Sequence, residues 1–347
     1  MQNTQMLDYI KDTPVVAQNL VKQFKKNHSK ISLAHMANVI FVGSGSSLNI
    51  ATVASVFYEN ELFIGCKLYH PDSFLALPKI NADPKTTLVI GVSQTGTSSG
   101  TVQAIKNAKG QGFKTVVLTE RPNTPLEDAG DVYFNFQSGE EKCNAKTKGY
   151  TNSLILLYLI GMEIGKVELE KDKNDKILEM LSKAINEITQ TMDSFDEWFK
   201  QNLDWTQIDN LLVIGAAQYM GSTEEGSLKI SETTLVPSRY SSFGEFSHGL
   251  HRTLNSNTNV ILVNSENEDL VSTYQYLEHK VSRVLLIDTT EQVEKSDISV
   301  NNLQFNLTAI NVGIVFQMLS YYLPTYVGHD PNAEINHDYE LLVHNRL

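Results

Sequence analysis

Residues 88–101 read Leu-Val-Ile-Gly-Val-Ser-Gln-Thr-Gly-Thr-Ser-Ser-Gly-Thr, and this stretch decides the fold. The apolar run at its start predicts a buried strand, and the apolar spacing of residues 102–109 predicts a helix after it. Between them lies a loop rich in hydroxyl groups. A strand that enters such a loop at a helix start presents backbone N–H groups, hydroxyls and a positive helix end together, which favours phosphate binding. An ordinary polar loop is the alternative, because Ser, Thr and Gly also favour loops and N-caps.

Length and composition narrow the class of protein. The chain has 347 residues, enough for two domains, and a formal net charge of −12 that disfavours nucleic-acid binding. Cys66 and Cys143 have no metal-ligand spacing and suit a reducing compartment. Residues 1–14 lack the apolar core of a signal peptide, and no apolar run reaches the roughly 18 residues of a membrane span. We therefore expect a cytoplasmic protein with no cofactor, metal, nucleic-acid or membrane partner.

The first half of the chain alternates strands with helices, which predicts a doubly wound, mainly parallel sheet. A helical lead-in is predicted over residues 1–34, with a start signal at Asp12-Thr13-Pro14. Ligands of such sheets bind at the carboxyl ends of strands, where residues 91–101 and a second Gly/Ser loop at 43–47 both fall. The second loop lacks the third glycine of a dinucleotide fingerprint, so it gives little support for NAD binding. Strands are predicted at 38–42, 66–70, 88–92, 115–119 and 131–136.

The second half repeats this pattern. Residues 166–204 combine dense charge with an apolar helical stripe and are interpreted as a helical linker. Residues 210–217 then read Asn-Leu-Leu-Val-Ile-Gly-Ala-Ala and match the strand and glycine of residues 38–45. Further strands are predicted at 260–263 and 284–288. The pattern indicates an internal duplication in which the second copy has lost the hydroxyl loop, so the phosphate site is expected in the first copy.

The second copy carries other reactive side chains. Lys229 and Glu232 lie on one face of a helix predicted to run from Ser222 until Pro237 ends it. Glu245 and His248 follow in a predicted loop. A carboxylate and an imidazole on separate elements can serve as base and acid on one substrate, although on residue type alone a Glu or His more often has an ordinary surface role.

With these motifs in place, the chain resembles the double-SIS (sugar isomerase) domain family over roughly residues 35–347. The phosphate-loop motif of the family, Ser-Gln-[Ser/Thr]-Gly-x-[Ser/Thr], stands here at residues 93–98. Its Lys-x-x-Glu, followed by the His of Gly-Glu-x-x-His-Gly, stands here as Lys229, Glu232 and His248. The resemblance extends to the isomerase module of glucosamine-6-phosphate synthase and to fructosamine-6-phosphate deglycases.

The resemblance implies an α/β protein with two tandem SIS domains, each a three-layer αβα unit around a doubly wound, mainly parallel sheet. Domain 1 would span residues 35–165 and domain 2 residues 205–325, with the linker at 166–204 and a C-terminal tail at 326–347. A homodimer or higher homo-oligomer with shared active sites is also implied, in which His248 reaches the neighbouring subunit's site.

The resemblance also assigns roles to residues. Glu232 would move a proton between C1 and C2 of a sugar, His248 would assist ring opening, and Lys229 would complete the catalytic set. The residues that the resemblance implies hold the sugar phosphate are Ser46, Ser47, Ser93, Gln94, Thr95, Ser98 and Lys146.

The sequence departs from the synthase in three respects. No glutaminase domain with a Cys nucleophile is recognised before the SIS pattern, so glutamine-dependent synthesis is not expected. Residues 334–347 lack the Lys that contacts the open-chain carbonyl in the synthase. A family hydroxyl position is occupied by Lys146.

Four functions follow from these observations. The leading expectation is a deglycase or deaminase of an amine-bearing sugar 6-phosphate, of the fructosamine 6-phosphate or glucosamine 6-phosphate type. An aldose–ketose sugar-phosphate isomerase using the same Glu232 is the first alternative. A non-catalytic sugar-phosphate-binding regulator is the second, disfavoured because no helix-turn-helix fits residues 1–37. A metal hydrolase using His248 and His251 is more remote.

Overall fold

The computed structural model describes residues 5–27, 33, 36–165, 171–266, 269–290, 297–343 and 347. Parts of the predicted lead-in, linker, two domains and tail lie outside the described residues, at 1–4, 28–32, 34–35, 166–170, 267–268, 291–296 and 344–346. The chain forms two compact units. The first-sheet unit comprises residues 15–141, 148–179 and 334–347, and the second-sheet unit comprises residues 1–14, 142–147 and 180–333.

The first sheet has five strands in the order β2-β1-β3-β4-β5, and every pairing is parallel. All six residues of its central strand are buried, as expected where helices cover both faces of a parallel sheet. The strands are β1 (Asn38–Val42), β2 (Gly65–Tyr69), β3 (Thr87–Val92), β4 (Lys114–Thr119) and β5 (Val132–Asn135). The helices in chain order are α1 (Gln5–Asn27), α2 (Ser46–Glu61), α3 (Pro71–Leu75), α4 (Ser99–Gly110), α5 (Pro125–Ala129), α6 (Lys148–Gly165) and α7 (Lys171–Gln201).

The second sheet repeats this topology, with all strands parallel in the order β7-β6-β8-β9-β10. Its strands are β6 (Leu211–Gly215), β7 (Ser238–Ser242), β8 (Asn259–Val263), β9 (Arg283–Asp288) and β10 (Ile298–Ser299). The later helices are α8 (Met220–Thr234), α9 (Phe243–His248), α10 (Leu270–Glu278), α11 (Thr308–Tyr326) and α12 (His337–Val343). Two α/β units with the same strand order confirm the predicted fold class. Among the described residues, no helix is long and apolar enough to cross a membrane.

The predicted start of the first helix is wrong. Helix α1 begins at Gln5 and carries Pro14 in its interior. Met6 and Ile10 are fully buried and extend the apolar stripe upstream of the proline. Burial of two such side chains contributes about 3–6 kcal/mol, which outweighs the roughly 3 kcal/mol cost of a proline inside a helix.

Two predictions for the segment from Ser222 to His248 also need correction. Helix α8 ends at Thr234, before Pro237, because Leu235 adopts a left-handed conformation with φ 62°. Glu245 and His248 lie on the short helix α9 and not in a loop. The hydroxyl of Ser242 caps this helix by accepting the Glu245 N–H at 3.1 Å.

The contact between α8 and α11 leaves no room for a side chain at Gly226. A Cβ atom there would lie 2.5 Å from Cγ of Phe316, which is fully buried. We expect Gly226→Ala to lower the free energy of unfolding by about 1–3 kcal/mol, the usual penalty of overpacking, in urea denaturation. Gly110→Ala is the matched control, because a Cβ at the end of α4 meets nothing within 4 Å. Equal losses in both variants would contradict the packing argument.

Candidate functional site

The hydroxyl residues of the first-sheet unit gather at one edge of its sheet. Strands β1 and β3 are neighbours in parallel register, so the loops after both strands emerge at the same edge. Ser46 and Ser47 form the first turn of α2, and Ser98 is the N-cap of α4. Ser93, Gln94 and Thr95 lie in the loop that follows β3. The structure therefore brings these six predicted residues to the same sheet edge.

Backbone hydrogen bonds fix the loop at residues 93–98. The N–H of Ser93 donates to the Leu118 carbonyl at 3.0 Å. Glu120 N–H donates to the Gln94 carbonyl at 3.1 Å, and Leu126 N–H donates to that of Gly96 at 3.0 Å. These three hydrogen bonds hold the loop backbone in one conformation, so the loop is preorganised to bind an anion at the start of α4.

Hydroxyl groups within the loop also contact one another. Those of Thr95 and Thr97 are 2.9 Å apart, and the Thr101 hydroxyl donates to that of Ser98 at 3.1 Å. In the tail, Leu347 donates its backbone N–H to the Thr97 carbonyl at 2.8 Å. The loop thus combines hydroxyls and backbone groups in one short segment, which is the chemistry of an anion site.

Gly96 is required by the shape of this loop. Its φ is +70°, and a Cβ would lie 2.6 Å from Cβ of Thr124. We expect Gly96→Ala to displace the loop and to weaken binding of inorganic phosphate at least about tenfold, measured by isothermal titration calorimetry.

The control for this variant is Gly112→Ala. Gly112 has φ +87°, but a Cβ there meets nothing within 4 Å. Both variants therefore carry the backbone strain of a left-handed alanine, about 1–2 kcal/mol, while only Gly96→Ala moves the loop. Unchanged phosphate affinity in Gly96→Ala would refute the assigned role of the loop.

Two carboxylates beside this loop were missed by sequence reasoning. Glu120 accepts hydrogen bonds from the Ser138 hydroxyl at 2.7 Å and the Gly139 N–H at 2.9 Å. Burial raises its pKa and outweighs these bonds, and the nearby Glu141 raises it further. Glu141 itself is buried and accepts the Gly149 N–H at the start of α6, at 3.1 Å. No local motif marks either residue, because their positions follow from how the segment after β5 folds back.

Lys146 belongs to the short segment 142–147 of the second-sheet unit. It is half-buried, and its Nζ donates to the Cys143 carbonyl at 2.6 Å. This contact is local and turns the ammonium group toward its own chain segment. Its implied contact with a sugar phosphate stays a prediction.

Helix α8 presents three charged residues on one face, since Glu225, Lys229 and Glu232 are spaced four and three apart. Lys229 Nζ lies 2.7 Å from Oε1 of Glu225, and both side chains are only 1% exposed. Because an unpaired charge at that depth is strongly unfavourable, the ion pair holds both side chains in one geometry. Sequence reasoning singled out Lys229 and missed Glu225, although the i,i+4 spacing was visible.

Glu232 combines an exposed side chain with a perturbed carboxyl group. Burial of the carboxyl among protein atoms raises its pKa most strongly. Lys229 lowers this pKa and Glu225 raises it, so the two members of the buried ion pair act on it in opposite directions. A carboxylate that reaches solvent yet loses part of its hydration is well suited to accept a proton from carbon near neutral pH.

The predicted acid, His248, is exposed at the last position of α9. No hydrogen bond joins it to Glu232, and both are among the described residues. Nδ1 of His251 lies 3.2 Å from the Phe246 carbonyl. Within the described part of the chain, no group of three or more His, Cys, Asp or Glu residues could hold a metal ion.

Comparison with known proteins gives one family match. Residues 32–162 match the SIS domain model. A glutamine–fructose-6-phosphate aminotransferase (isomerizing) of Methanocaldococcus jannaschii is 27% identical over 299 residues, covering 84% of this chain and 26% of the relative. The chain thus spans only about a quarter of the length of that relative, and 56% of the corresponding Aquifex aeolicus enzyme.

Solved structures share the fold over nearly the whole chain. A proposed phosphosugar isomerase of Clostridium difficile 630 superposes with a TM-score of 0.91 at 24% identity, covering 98% of both chains. Glucosamine-6-phosphate deaminase of Thermotoga maritima superposes with a TM-score of 0.78 at 22% identity, covering 94% of this chain and 96% of that one. At these identities the likeness establishes the fold.

Proposed function

We propose that this chain, whose residues 32–162 match the SIS domain model, acts as a deglycase or deaminase of an amine-bearing sugar 6-phosphate. The observation that carries the proposal is the raised pKa of Glu232 beside a buried ion pair. It is supported by the hydroxyl loop at residues 93–98, which offers a phosphate its backbone and side-chain groups.

The proposed reaction needs only proton transfers and water. With a fructosamine 6-phosphate, the Glu232 carboxylate takes a proton from C1 and forms an enolamine. Return of the proton to C2 gives an imine at C1, and water hydrolyses it to the free amine and an aldose phosphate. With glucosamine 6-phosphate, the proton moves from C2 to C1, and hydrolysis of the imine at C2 releases ammonia and a ketose phosphate. His248 would assist ring opening, and Lys229 would hold the charge balance of the base.

Phosphate binding supplies the positioning in this proposal. Interactions with a remote, non-reacting group can be used to orient C1 and C2 toward the base. The residues proposed to do so are Ser46, Ser47, Ser93, Gln94, Thr95 and Ser98, with Lys146 as a further contact.

A substrate panel tests the proposal. The protein is incubated with fructoselysine 6-phosphate, glucosamine 6-phosphate, glucose 6-phosphate and fructose 6-phosphate, and free amine, ammonia and hexose phosphates are assayed. Release of lysine or ammonia that is lost in Glu232→Gln is the expected result. Interconversion of the hexose phosphates without amine release would replace the proposal by the isomerase alternative, which the structural likeness to a proposed phosphosugar isomerase favours. Binding without turnover, unchanged in Glu232→Gln, would leave the regulator.

The raised pKa of Glu232 predicts the pH dependence of turnover. A base acts when deprotonated, so kcat should fall as the pH drops through this pKa, at a pH above the 4.5 of an ordinary glutamate. The substrate phosphate itself titrates near pH 6, so its affinity is measured separately by calorimetry over the same pH range. An acid limb in kcat at or below the ordinary glutamate value would contradict the role of Glu232.

We also propose a homodimer in which His248 serves the site of the neighbouring subunit. Mixing inactive Glu232→Gln subunits with inactive His248→Ala subunits should restore part of the activity, because mixed dimers would then hold one intact site. Each variant mixed with itself is the control. If the mixture of the two variants regains no activity, each chain supplies its own histidine.

A further inference from the structure

A cavity lies at the edge of the first sheet opposite the hydroxyl loops. It has a volume of about 260 Å³ and is formed where β1, β2 and β3 begin, entirely within the first-sheet unit. Asn38, the first residue of β1, lines this cavity and lies about 13 Å from Val42, the last residue of that strand, after which the first hydroxyl loop begins. It is therefore separate from the proposed phosphate site.

The walls of this cavity combine both charges with neutral polar groups. Glu59 supplies a carboxylate and Lys67 an ammonium group, and both side chains are exposed at the cavity. Among the described residues, Lys67 has no ion-pair partner, while one oxygen of Glu59 accepts the Cys66 N–H at 3.2 Å. Asn38 and Asn81 add amide groups. The floor is apolar, formed by the buried strand residues Val39 and Ile40 together with Ala82.

A buried hydroxyl in the wall lacks a protein partner. Thr87 lines the cavity with no exposed surface, and its Oγ1 has no hydrogen-bond partner among the described residues. Buried polar groups in proteins are almost always hydrogen-bonded, so such a group marks a place where a ligand can complete the bonding. Thr87 pairs with Asn38 in the β1–β3 register, which puts an amide next to this hydroxyl.

The thiol in the wall does not supply covalent chemistry. Burial, reinforced by the nearby Glu59, raises the pKa of Cys66 to about 12. The thiol therefore stays protonated and is a poor nucleophile and a poor metal ligand. The cavity is thus suited to reversible binding.

We propose that this cavity binds a small α-amino acid as a zwitterion. Its ammonium group would face Glu59, its carboxylate would face Lys67, and the Thr87 hydroxyl would complete its hydrogen bonds. The volume lies slightly below the roughly 300–1,000 Å³ of typical ligand pockets, which suits a molecule of this size. The apolar floor suits a short side chain.

Binding of L-alanine, glycine and L-serine is measured by isothermal titration calorimetry without any sugar phosphate, so the result does not depend on the proposed function. Propionate and ethylamine are the single-charge comparators. We expect an amino acid to bind at millimolar concentration or below and both comparators to bind at least about tenfold more weakly. Failure of all three amino acids to bind, or equal binding of the comparators, would overturn the proposal.

Three variants locate the site. Thr87→Val removes the unpartnered hydroxyl without changing the side-chain shape, so the fold should tolerate it. Gly65→Ala places a Cβ 2.8 Å from Oδ1 of Asn38 and narrows the cavity, and Lys67→Gln removes the cation. Each should weaken amino-acid binding at least about tenfold, whereas Lys106→Gln on the exposed face of α4 should not. Binding that persists in all three variants would place the ligand elsewhere and refute the proposal.

Discussion

Replacement of Glu232 by Gln should lower kcat by about 10²–10⁴-fold, the usual contribution of a general base. The amide keeps the size and shape of the side chain but accepts no proton at neutral pH. Because Glu232 is exposed, the variant should fold normally. The measurement is steady-state kinetics on whichever amine-bearing sugar phosphate the wild type turns over. KM should change little, since the proposed role is confined to the proton transfer.

A control carboxylate and a binding variant sharpen this test. Glu197 is an exposed carboxylate on α7, and Glu197→Gln should retain full activity. Ser93→Ala should instead raise KM more than it lowers kcat, because the hydroxyl loop is assigned to phosphate binding. A kcat in Glu232→Gln within about threefold of the wild-type value would refute the assignment of Glu232 as the base, whatever the effect of Ser93→Ala.

The strands were predictable because buried parallel strands read as continuous apolar runs. The predicted strand at 38–42 coincides with β1, and the predicted starts of β3 and β4 are late by one residue. Both strands open with a polar residue, Thr87 and Lys114, which apolar patterning leaves out. The second sheet repeats the strand order of the first, as the duplication inferred from residues 210–217 predicts.

Other features depend on tertiary contacts that a single sequence does not display. Leu235 in a left-handed conformation ends α8 with no glycine to signal it. The spacing of Glu225 and Lys229 was visible, but their burial follows from packing around α8, which sequence spacing cannot reveal. The raised pKa of Glu232 has the same origin, because its largest cause is burial. Residue type therefore indicated the candidate base, and only the fold indicates why its carboxyl group holds a proton more tightly than an ordinary glutamate does.

Separation of the Glu225–Lys229 ion pair should produce the largest loss of stability among the substitutions considered. Lys229→Met removes the cation and leaves the Glu225 carboxylate without it at 1% exposure, which should lower the free energy of unfolding by about 3–5 kcal/mol. Urea denaturation measures the loss. The double variant Glu225→Gln with Lys229→Met removes both charges, so it should regain a large part of the stability, because a buried ion pair contributes little over neutral groups of similar volume.

A second ion pair with the same spacing supplies the comparison. Lys183 and Glu187 on α7 lie 3.8 Å apart, and the lysine side chain is 54% exposed. Lys183→Met should therefore change stability by less than about 0.5 kcal/mol, since an exposed pair is screened by water. Lys229→Met has a further consequence, because Lys229 lowers the pKa of Glu232. In Lys229→Met, the acid limb of the kcat–pH profile should therefore move to higher pH. In Lys183→Met, the acid limb should stay where it is in the wild type. Equal stability losses at the two lysines, or an unmoved limb in Lys229→Met, would show that the buried pair neither supports α8 nor tunes the proposed base.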